Sequence, residues 1–345
     1  MARKTYPGFI DVHVHLREPG ATHKEDFSTG SRAAVKGGFT FVIDMPNNAT
    51  PTISIARLDE KIELSKKAIN DIGFHYGTNG KNLETFAAAE VRPEVFGLKL
   101  YCNHTTGEML IEDINLLEGV FKTWGDTKPI MVHAEGVQLA AVISLARLYG
   151  KRLHVCHITQ EVEVELVRRA KALGQSVTAG VCPHHLFLTG EARDRLKGFA
   201  VMKPPLGTPE DQAALWKGLV DETIDVVETD HAPHTLEEKE KDPPAFGVPG
   251  LETVASLMFK AVQEGKITEE RLVSALYHYP KKIFNIPDQQ DTSVEIDMDA
   301  KWVVGENGYE SKAKWSPFAG WELPGRIEKV TLRGKVLLHD GKIVV

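Results

Sequence analysis

The sequence predicts an α/β fold in which eight parallel strands, each followed by a helix, close into a (β/α)8 barrel of the TIM type with a small β-rich C-terminal extension. Two observations support this prediction. Strand-like and helical stretches alternate roughly eight times over about 250 residues, whereas open doubly wound sheets usually have fewer strands. From about Thr292 the pattern changes to alternating apolar and polar residues, with a turn signal at Asp340-Gly341.

The strand-like runs are apolar and rich in β-branched residues, and the segments between them have helical spacing. The first run begins at Phe9, and the others cover residues 39–45, 73–76, 95–101, 129–133, 153–157, 176–181 and 224–229. Helical faces are clearest in residues 54–69, 161–173 and 209–220. We therefore predict a barrel over residues 1–285 and a packed extension over residues 286–345, with little N-terminal sequence available to pair with that extension.

The composition is that of an ordinary globular protein, with 42% hydrophobic and 26% charged residues in a chain of 345. A net charge of −7 argues against general affinity for nucleic acid or acidic membranes. No apolar run is long enough to span a bilayer, and the N-terminus has no signal-peptide pattern. Cys102, Cys156 and Cys182 lie in apolar runs that fit reduced thiols. We expect a cytoplasmic protein.

Polar and ionisable side chains gather at the C-terminal ends of the predicted strands, which form the catalytic face of a barrel. His13 and His15 are two apart on one strand and project to the same side. The others are Asn47, Lys99, His133, His157 and Asp230. A single His-x-His pair is as readily two ordinary histidines on a half-buried strand. The accumulation of such residues at strand ends favours a metal centre instead.

Neutral imidazoles and a carboxylate suit a divalent ion such as Zn²⁺. Lys99 is the exception, because an ammonium group repels a cation. If its amine captures carbon dioxide, the resulting carbamate is an anionic ligand with two oxygens that can bridge two metals. The alternative is a lysine that pairs with Asp230 at a site without metal.

Ordered motifs run along nearly the whole chain. They include His13-Val14-His15-Leu16-Arg17 within residues 7–20, and then residues 44–48, 97–101, 133–135, 156–157, 183–187, 229–234, 249–253 and 315–318. Together these motifs resemble the dihydroorotases of the amidohydrolase superfamily. The chain is most similar to the dihydroorotase domain of multifunctional eukaryotic pyrimidine-synthesis proteins.

This resemblance implies a binuclear zinc centre. His13, His15 and Asp230 would bind one ion, His133 and His157 would bind the other, and carboxylated Lys99 would bridge them together with a hydroxide. Asp230 would act first as a general base and then as a general acid. The implied reaction is the reversible cyclisation of N-carbamoyl-L-aspartate to L-dihydroorotate and water in pyrimidine biosynthesis.

The resemblance also implies a set of substrate-binding residues. Arg17, Asn47 and His234 match the family's carboxylate-binding residues, and Lys203 stands where the eukaryotic domain has an arginine. For Arg17 the alternative is a surface salt bridge with Glu18 or Glu25. Thr105 matches a threonine of a flap formed by residues 102–107, which would otherwise be a plain surface loop.

Some positions depart from the family pattern. Gly180 stands where the eukaryotic domain has a glutamate that helps to hold a third zinc, so the sequence does not support a third ion beside Cys156. We interpret His184, His185 and His231 as packing or supporting residues and assign them no metal.

Two other functions remain open on the sequence. One is a hydantoinase or allantoinase that shares the metal centre, and the other is a catalytically silent dihydroorotase-like scaffold domain. A homodimer is expected from the resemblance. The chain is also compatible with association with aspartate transcarbamoylase or with origin in a multifunctional polypeptide.

Overall fold

The computed structural model describes residues 3–104, 107 and 109–345. The strands of this part of the chain are β1 (Arg3–Tyr6), β2 (Phe9–Val14), β3 (Phe39–Asp44), β4 (Asp71–Gly77), β5 (Val95–Tyr101), β6 (Ile130–His133), β7 (Leu153–Val155), β8 (Val177–Val181), β9 (Val226–Val227), β10 (Ser293–Val303), β11 (Glu322–Leu332), β12 (Lys335–His339) and β13 (Lys342–Ile343).

The α-helices are α1 (Phe27–Lys36), α2 (Ile55–Ser65), α3 (Phe86–Glu90), α4 (Ile114–Thr123), α5 (Gly136–Leu148), α6 (Glu161–Ala172), α7 (Pro183–Phe187), α8 (Ala192–Leu196), α9 (Pro209–Val220), α10 (Leu236–Glu240), α11 (Val254–Gln263), α12 (Glu269–Val273) and α13 (Tyr279–Phe284). Short 3₁₀ helices cover Leu83–Thr85 and Lys197–Ala200, and a π-helix covers Ser274–His278. No helix in the described ranges is long and apolar enough to cross a membrane.

Strands β2 to β9 form one parallel sheet in chain order. Every residue of β2, β3 and β5 is buried, as expected for strands covered on both faces. The gap between β9 and β2 is bridged where Val14 pairs with His231, and the backbone N–H of His15 donates to the His231 carbonyl oxygen at 2.8 Å. The predicted eight-stranded barrel is therefore confirmed, and it brings the ends of β2 and β9 together.

Helix caps explain why the connecting segments fold as they do. Asp26 begins α1 by accepting a hydrogen bond of 2.8 Å from the backbone N–H of Thr29. Thr208 begins α9 in the same way, because its Oγ1 accepts a hydrogen bond from the backbone N–H of Asp211, and Pro209 occupies the first helical position. Both patterns satisfy backbone N–H groups that a helix start leaves unpaired.

The C-terminal strands β10 to β13 form a second, antiparallel sheet, as the alternating pattern predicted. Asp340 and Gly341 join β12 to β13 with φ values of +47° and +69°, which is the left-handed geometry of a two-residue hairpin turn. We expected little N-terminal sequence to be available for pairing with this sheet. Arg3–Tyr6 nevertheless form an edge strand that pairs with β10. Four residues of the predicted barrel segment thus join the extension. The division at residue 285 itself remains a prediction.

Candidate metal centre

The ends of β2 and β9 place two imidazoles against one carboxylate. Asp230 Oδ1 lies 3.0 Å from His15 Nε2 and 3.4 Å from His13 Nε2. Asp230 follows β9 with φ +46°, a conformation that costs energy for a residue other than glycine and is often found at functional sites. One ligand atom from each of these three residues lies within 4.8 Å of the other two. This spacing suits a single divalent ion.

A second pair of imidazoles comes from β6 and β7. His133 ends β6 and His157 follows β7, and His133 Nδ1 lies 3.0 Å from His157 Nε2. The His157 ring lies 5.0 Å from that of His13, measured between centroids. The two pairs therefore belong to one cluster at the carboxyl ends of the strands.

Lys99 is fully buried in β5. Its Nζ lies 3.0 Å from Cys156 Sγ and 5.0 Å from the centroid of the Tyr101 ring. Among the described residues, no carboxylate oxygen lies within the 4.0 Å of an ion pair from this amine, so the alternative pairing with Asp230 is not observed. A buried ammonium without a counter-charge is costly. Within the described residues, the Lys99 amine thus has no carboxylate to compensate its charge.

The protonation states of the cluster suit metal ligands. Burial is the main cause that lowers the pKa of His13 to about 4, so that its ring is neutral at physiological pH. Burial opposes ionisation of Asp230, but the adjoining His13 and His15 outweigh it and hold the pKa of this carboxyl below its usual range. In the described structure, His157 Nδ1 is buried without a hydrogen-bond partner. Neutral rings, an ionised carboxylate and an unpaired ring nitrogen fit a bound cation.

Asp11 supports the cluster from behind. Its Oδ1 accepts hydrogen bonds from the backbone N–H groups of His13 (3.1 Å) and Thr229 (3.2 Å), and its Oδ2 accepts one from Thr229 Oγ1 (2.5 Å). These bonds join the ends of β2 and β9 and fix the backbone beside both histidines and Asp230.

Glu228 is a buried residue of the site that our sequence reasoning missed. Its Oε1 accepts a 2.6 Å hydrogen bond from the backbone N–H of His157 and lies 3.5 Å from His13 Nδ1. A Cβ atom on Gly180 would lie only 2.5 Å from Glu228 Cδ. The carboxylate expected at position 180 is thus supplied from the end of β9, where His13, Cys156 and Glu228 could hold an ion. Glu228 thus offers the carboxylate that position 180 lacks, while the statement that the sequence does not support a third ion stays a prediction. The sequence feature that could have revealed Glu228 was an acidic residue in the apolar run before Asp230.

Most of the predicted site residues line a single cleft. The residues around it are His13, His15, Arg17, Asn47, Tyr101, His133, His157, Lys203, Asp230, Ala232, Phe246 and Gly247. An adjoining cleft shares His15, Arg17 and Asn47 with it and adds His234. The metal-ligand candidates and the carboxylate-binding candidates thus face one continuous space.

Arg17 is directed into this space rather than to surface acids. Its Nε donates to the Pro233 carbonyl oxygen at 3.1 Å, and its Nη2 lies 3.1 Å from His234 Nε2. The alternative partners are engaged elsewhere, because Glu18 pairs with Lys67 and Glu25 lies beside His231. A guanidinium held at one edge keeps its remaining N–H groups available for a carboxylate.

Lys203 lines the cleft and contacts the described beginning of the predicted flap. Lys203 Nζ donates to the His104 carbonyl oxygen at 2.8 Å and lies 4.6 Å from the centroid of the Phe246 ring. Thr105 lies outside the described residues, as does Thr106, so the flap and the role of Thr105 remain predictions.

Tyr101 is a second residue that sequence reasoning missed. It lines the cleft, is only 3% exposed, and its hydroxyl has no hydrogen-bond partner within the described structure. The available signal was its position two residues after Lys99 on β5, which turns both side chains to the same face.

Comparison with known proteins gives a consistent family. The model of the amidohydrolase family matches residues 5–337. Multifunctional protein CAD of Squalus acanthias is 40% identical over 343 residues, which cover 98% of this chain, and multifunctional protein pyr1-3 of Dictyostelium discoideum is 42% identical over 345 residues, also 98%. The chain spans 15% of the length of each. A dihydroorotase of Lactobacillus acidophilus is 36% identical over 376 residues, covering 97% of this chain and 88% of that protein.

Solved structures agree with the fold. An L-hydantoinase (dihydropyrimidinase) from Arthrobacter aurescens superimposes with a TM-score of 0.90 at 25% identity, over 99% of this chain and 87% of that one. The inactive dihydroorotase-like domain of a Chaetomium thermophilum CAD-like multifunctional protein gives 0.84 at 28% identity, over 100% and 97%. From the family model and the bacterial relative matched over most of its length, we conclude that this chain belongs to the amidohydrolase family, among the dihydroorotases.

Proposed function

We propose that this protein is a dihydroorotase that interconverts N-carbamoyl-L-aspartate and L-dihydroorotate plus water in pyrimidine biosynthesis. The observation that carries the proposal is the convergence of two histidine pairs and Asp230 on one cleft that also exposes Arg17. A cyclic amide that carries a ring carboxylate needs both the metal cluster and Arg17. The metal cluster would act on the amide, and the guanidinium would bind the carboxylate.

Two zinc ions are the cofactors we propose. His13, His15 and Asp230 would hold one ion, His133 and His157 the other, and Lys99 would bridge them as its carbamate. Bound zinc would lower the pKa of a shared water and polarise the attacked carbonyl. The buried Lys99 amine has no carboxylate partner among the described residues, which supports its conversion to an anion. A third ion beside Glu228 is not part of this proposal.

Asp230 would carry the proton. In the hydrolytic direction its carboxylate accepts a proton from the attacking water and delivers it to the leaving ring nitrogen, and in the cyclising direction it acts in reverse. Oδ1 is the oxygen that faces His13 and His15 and would bind the ion with them, so the second carboxylate oxygen is the one available for this transfer.

Arg17 would bind the substrate carboxylate together with Asn47 and His234. Lys203, which lines the same cleft, would add positive charge with less directional bonding than an arginine. Tyr101 is positioned to donate its hydroxyl proton to an oxygen of the bound ring, since that hydroxyl is buried and unpaired in the described structure. Thr105 would complete the site from the flap.

A comparative assay tests the proposal. The purified chain should hydrolyse dihydroorotate and cyclise carbamoyl aspartate, with hydantoin and allantoin turned over far more slowly, and its cleft should hold two zinc ions. Preference for hydantoin or allantoin would favour the other cyclic amidases. Absence of turnover with all three substrates in a zinc-loaded sample would favour a silent scaffold domain.

Assembly and location follow as further proposals. We infer a homodimer, together with association with aspartate transcarbamoylase or origin in a multifunctional polypeptide, in the cytoplasm. The match to 15% of each of two multifunctional proteins supports the link to a larger assembly. Light scattering of the purified chain would give the oligomeric state, and co-purification would test the partner.

A further inference from the structure

Cys182, His184 and His185 form another group of metal-binding side chains, and it shares no residue with the cluster described above. Cys182 follows β8, and the two histidines lie in the first turn of α7. One ligand atom from each residue lies within 4.8 Å of the other two. All three side chains are buried, with 2% exposure or less. The fold thus directs a thiol and two imidazoles to one point inside the protein.

Each histidine of this group has one ring nitrogen without another partner. His184 Nε2 and His185 Nδ1 are buried and have no hydrogen-bond partner within the described part of the chain. His185 Nε2 donates to the Pro204 carbonyl oxygen at 3.1 Å, so the proton lies on Nε2 and Nδ1 carries a free lone pair. A buried polar atom left unpaired costs about 1–3 kcal/mol. A bound cation would remove that cost at both nitrogens.

We propose that Cys182, His184 and His185 bind one zinc-type divalent cation, separate from the ions of the cleft. A thiolate with two imidazoles is a donor set for zinc and similar ions, whereas magnesium and calcium prefer oxygen ligands. On binding, the Cys182 S–H proton is released to solvent as the Sγ–metal bond forms, and each imidazole contributes a nitrogen lone pair. A fourth ligand such as water would complete the usual four-coordinate site.

The ion has a structural consequence for the cleft. It fixes the His185 ring, and that ring holds the backbone of Pro204. The preceding residue, Lys203, lines the cleft and reaches the backbone of His104. Occupation of the site therefore steadies the segment that presents Lys203, while the chemical step stays with the cluster at β2 and β9.

Cobalt substitution tests the proposal with a readout other than activity. Loaded with Co²⁺, the full chain should show a thiolate-to-metal charge-transfer band. Cys182→Ser should abolish this band and lower the metal content by one ion per chain. Cys102→Ser is the matched control, because Cys102 is also buried and belongs to no group of three metal ligands among the described residues, and this variant should keep the band. A band that disappears with Cys156→Ser and survives Cys182→Ser would overturn the proposal, as would its absence from the wild type.

A second variant covers the case in which Cys182→Ser does not fold. His184→Gln keeps the thiol and removes one ligand, so its affinity for the ion should fall by at least about tenfold. The wild type should also gain thermal stability on addition of Zn²⁺ beyond the amount that fills the cleft, and His184→Gln should gain less. Equal affinity and equal stabilisation in the two proteins would contradict the assignment. The variants do not change the proposed ligands of the ions in the cleft. Turnover of dihydroorotate therefore tests the proposed function and is measured separately from binding of this ion.

Discussion

The indole Nε1 of Trp315 donates a hydrogen bond of 2.8 Å to the backbone carbonyl oxygen of His234. Trp315 belongs to the C-terminal extension and is 6% exposed, while His234 follows the strand end that carries Asp230. The extension therefore fixes the segment that lies beside Arg17. Its effect on function should appear in substrate binding rather than in the chemical step.

Trp315→Phe tests this relationship. Phenylalanine keeps the ring but leaves the His234 carbonyl without its donor, which costs about 1–3 kcal/mol of stability when the group is buried. We expect KM for dihydroorotate to rise severalfold with little change in kcat. Trp302→Phe is the matched control, since its indole donates to Ser256 Oγ at 3.2 Å and does not line the cleft. A change confined to kcat, or an equal effect of both variants on KM, would contradict the argument.

Arg17→Met tests the carboxylate site. Loss of a charge-assisted bidentate contact is worth roughly 1.5–3 kcal/mol, which corresponds to an increase in KM of about 10- to 100-fold. Zinc content should stay at the wild-type value because Arg17 is not one of the proposed ligands. Steady-state kinetics with a metal count on the same sample measures both quantities. An unchanged KM would exclude Arg17 from substrate binding.

Lys99→Ala tests the proposed bridge. Without the carbamate the variant should lose turnover and part of its zinc. A small carboxylate such as acetate should restore some activity, because it can offer two oxygens in the vacated space, whereas chloride at equal ionic strength should not. Turnover at the wild-type rate in Lys99→Ala would refute the bridging role.

The repeat of apolar runs and helical faces sufficed to predict the barrel, because burial on both faces leaves a parallel strand little sequence freedom. Residues 95–101 and 209–220 were predicted with the observed bounds of β5 and α9. Functional groups at strand ends could also be anticipated, since parallel strands all finish at one face.

Contacts between distant segments escaped prediction. Glu228 fills the space beside Gly180 only because β8 and β9 are neighbours in the barrel, and Trp315 reaches His234 across 81 positions of the chain. The pairing of β1 with β10 depends in the same way on where the extension packs. Spacing along the sequence carries no information on such contacts.

Gly180→Ala tests the role of Glu228. The added methyl group would lie 2.5 Å from Glu228 Cδ and 2.6 Å from Oε1, so the carboxylate must move away from the backbone of His157. Overpacking of this kind typically costs about 1–3 kcal/mol. We expect lower zinc affinity and lower turnover. Gly119→Ala is the control, because its new methyl group would meet only Leu83 Cδ1 at 3.4 Å. Wild-type zinc affinity in Gly180→Ala would remove Glu228 from the supporting role.

Glu252 predicts a pH dependence of stability far from the cluster. Burial raises the pKa of this carboxyl from 4.5 to about 7, although backbone N–H groups of Glu310 and Ser311 donate to it and oppose the shift. Since the folded state holds the proton more tightly than the unfolded state, the stabilising contribution is complete below about pH 4.5 and is lost as the pH rises through 7.

Glu252→Gln should remove this dependence. Between pH 4.5 and 8, the free energy of unfolding of the wild type should fall by about 3 kcal/mol relative to the variant, because one pKa unit corresponds to about 1.4 kcal/mol. Denaturant unfolding at a series of pH values measures the difference. Glu322→Gln serves as the control, because its carboxylate is exposed, pairs with Lys301 at 2.7 Å and does not act on Glu252, so its curve should run parallel to that of the wild type. If Glu252→Gln and the wild type also run parallel, the carboxyl is ionised in the folded protein throughout this range, and the two backbone hydrogen bonds outweigh its burial.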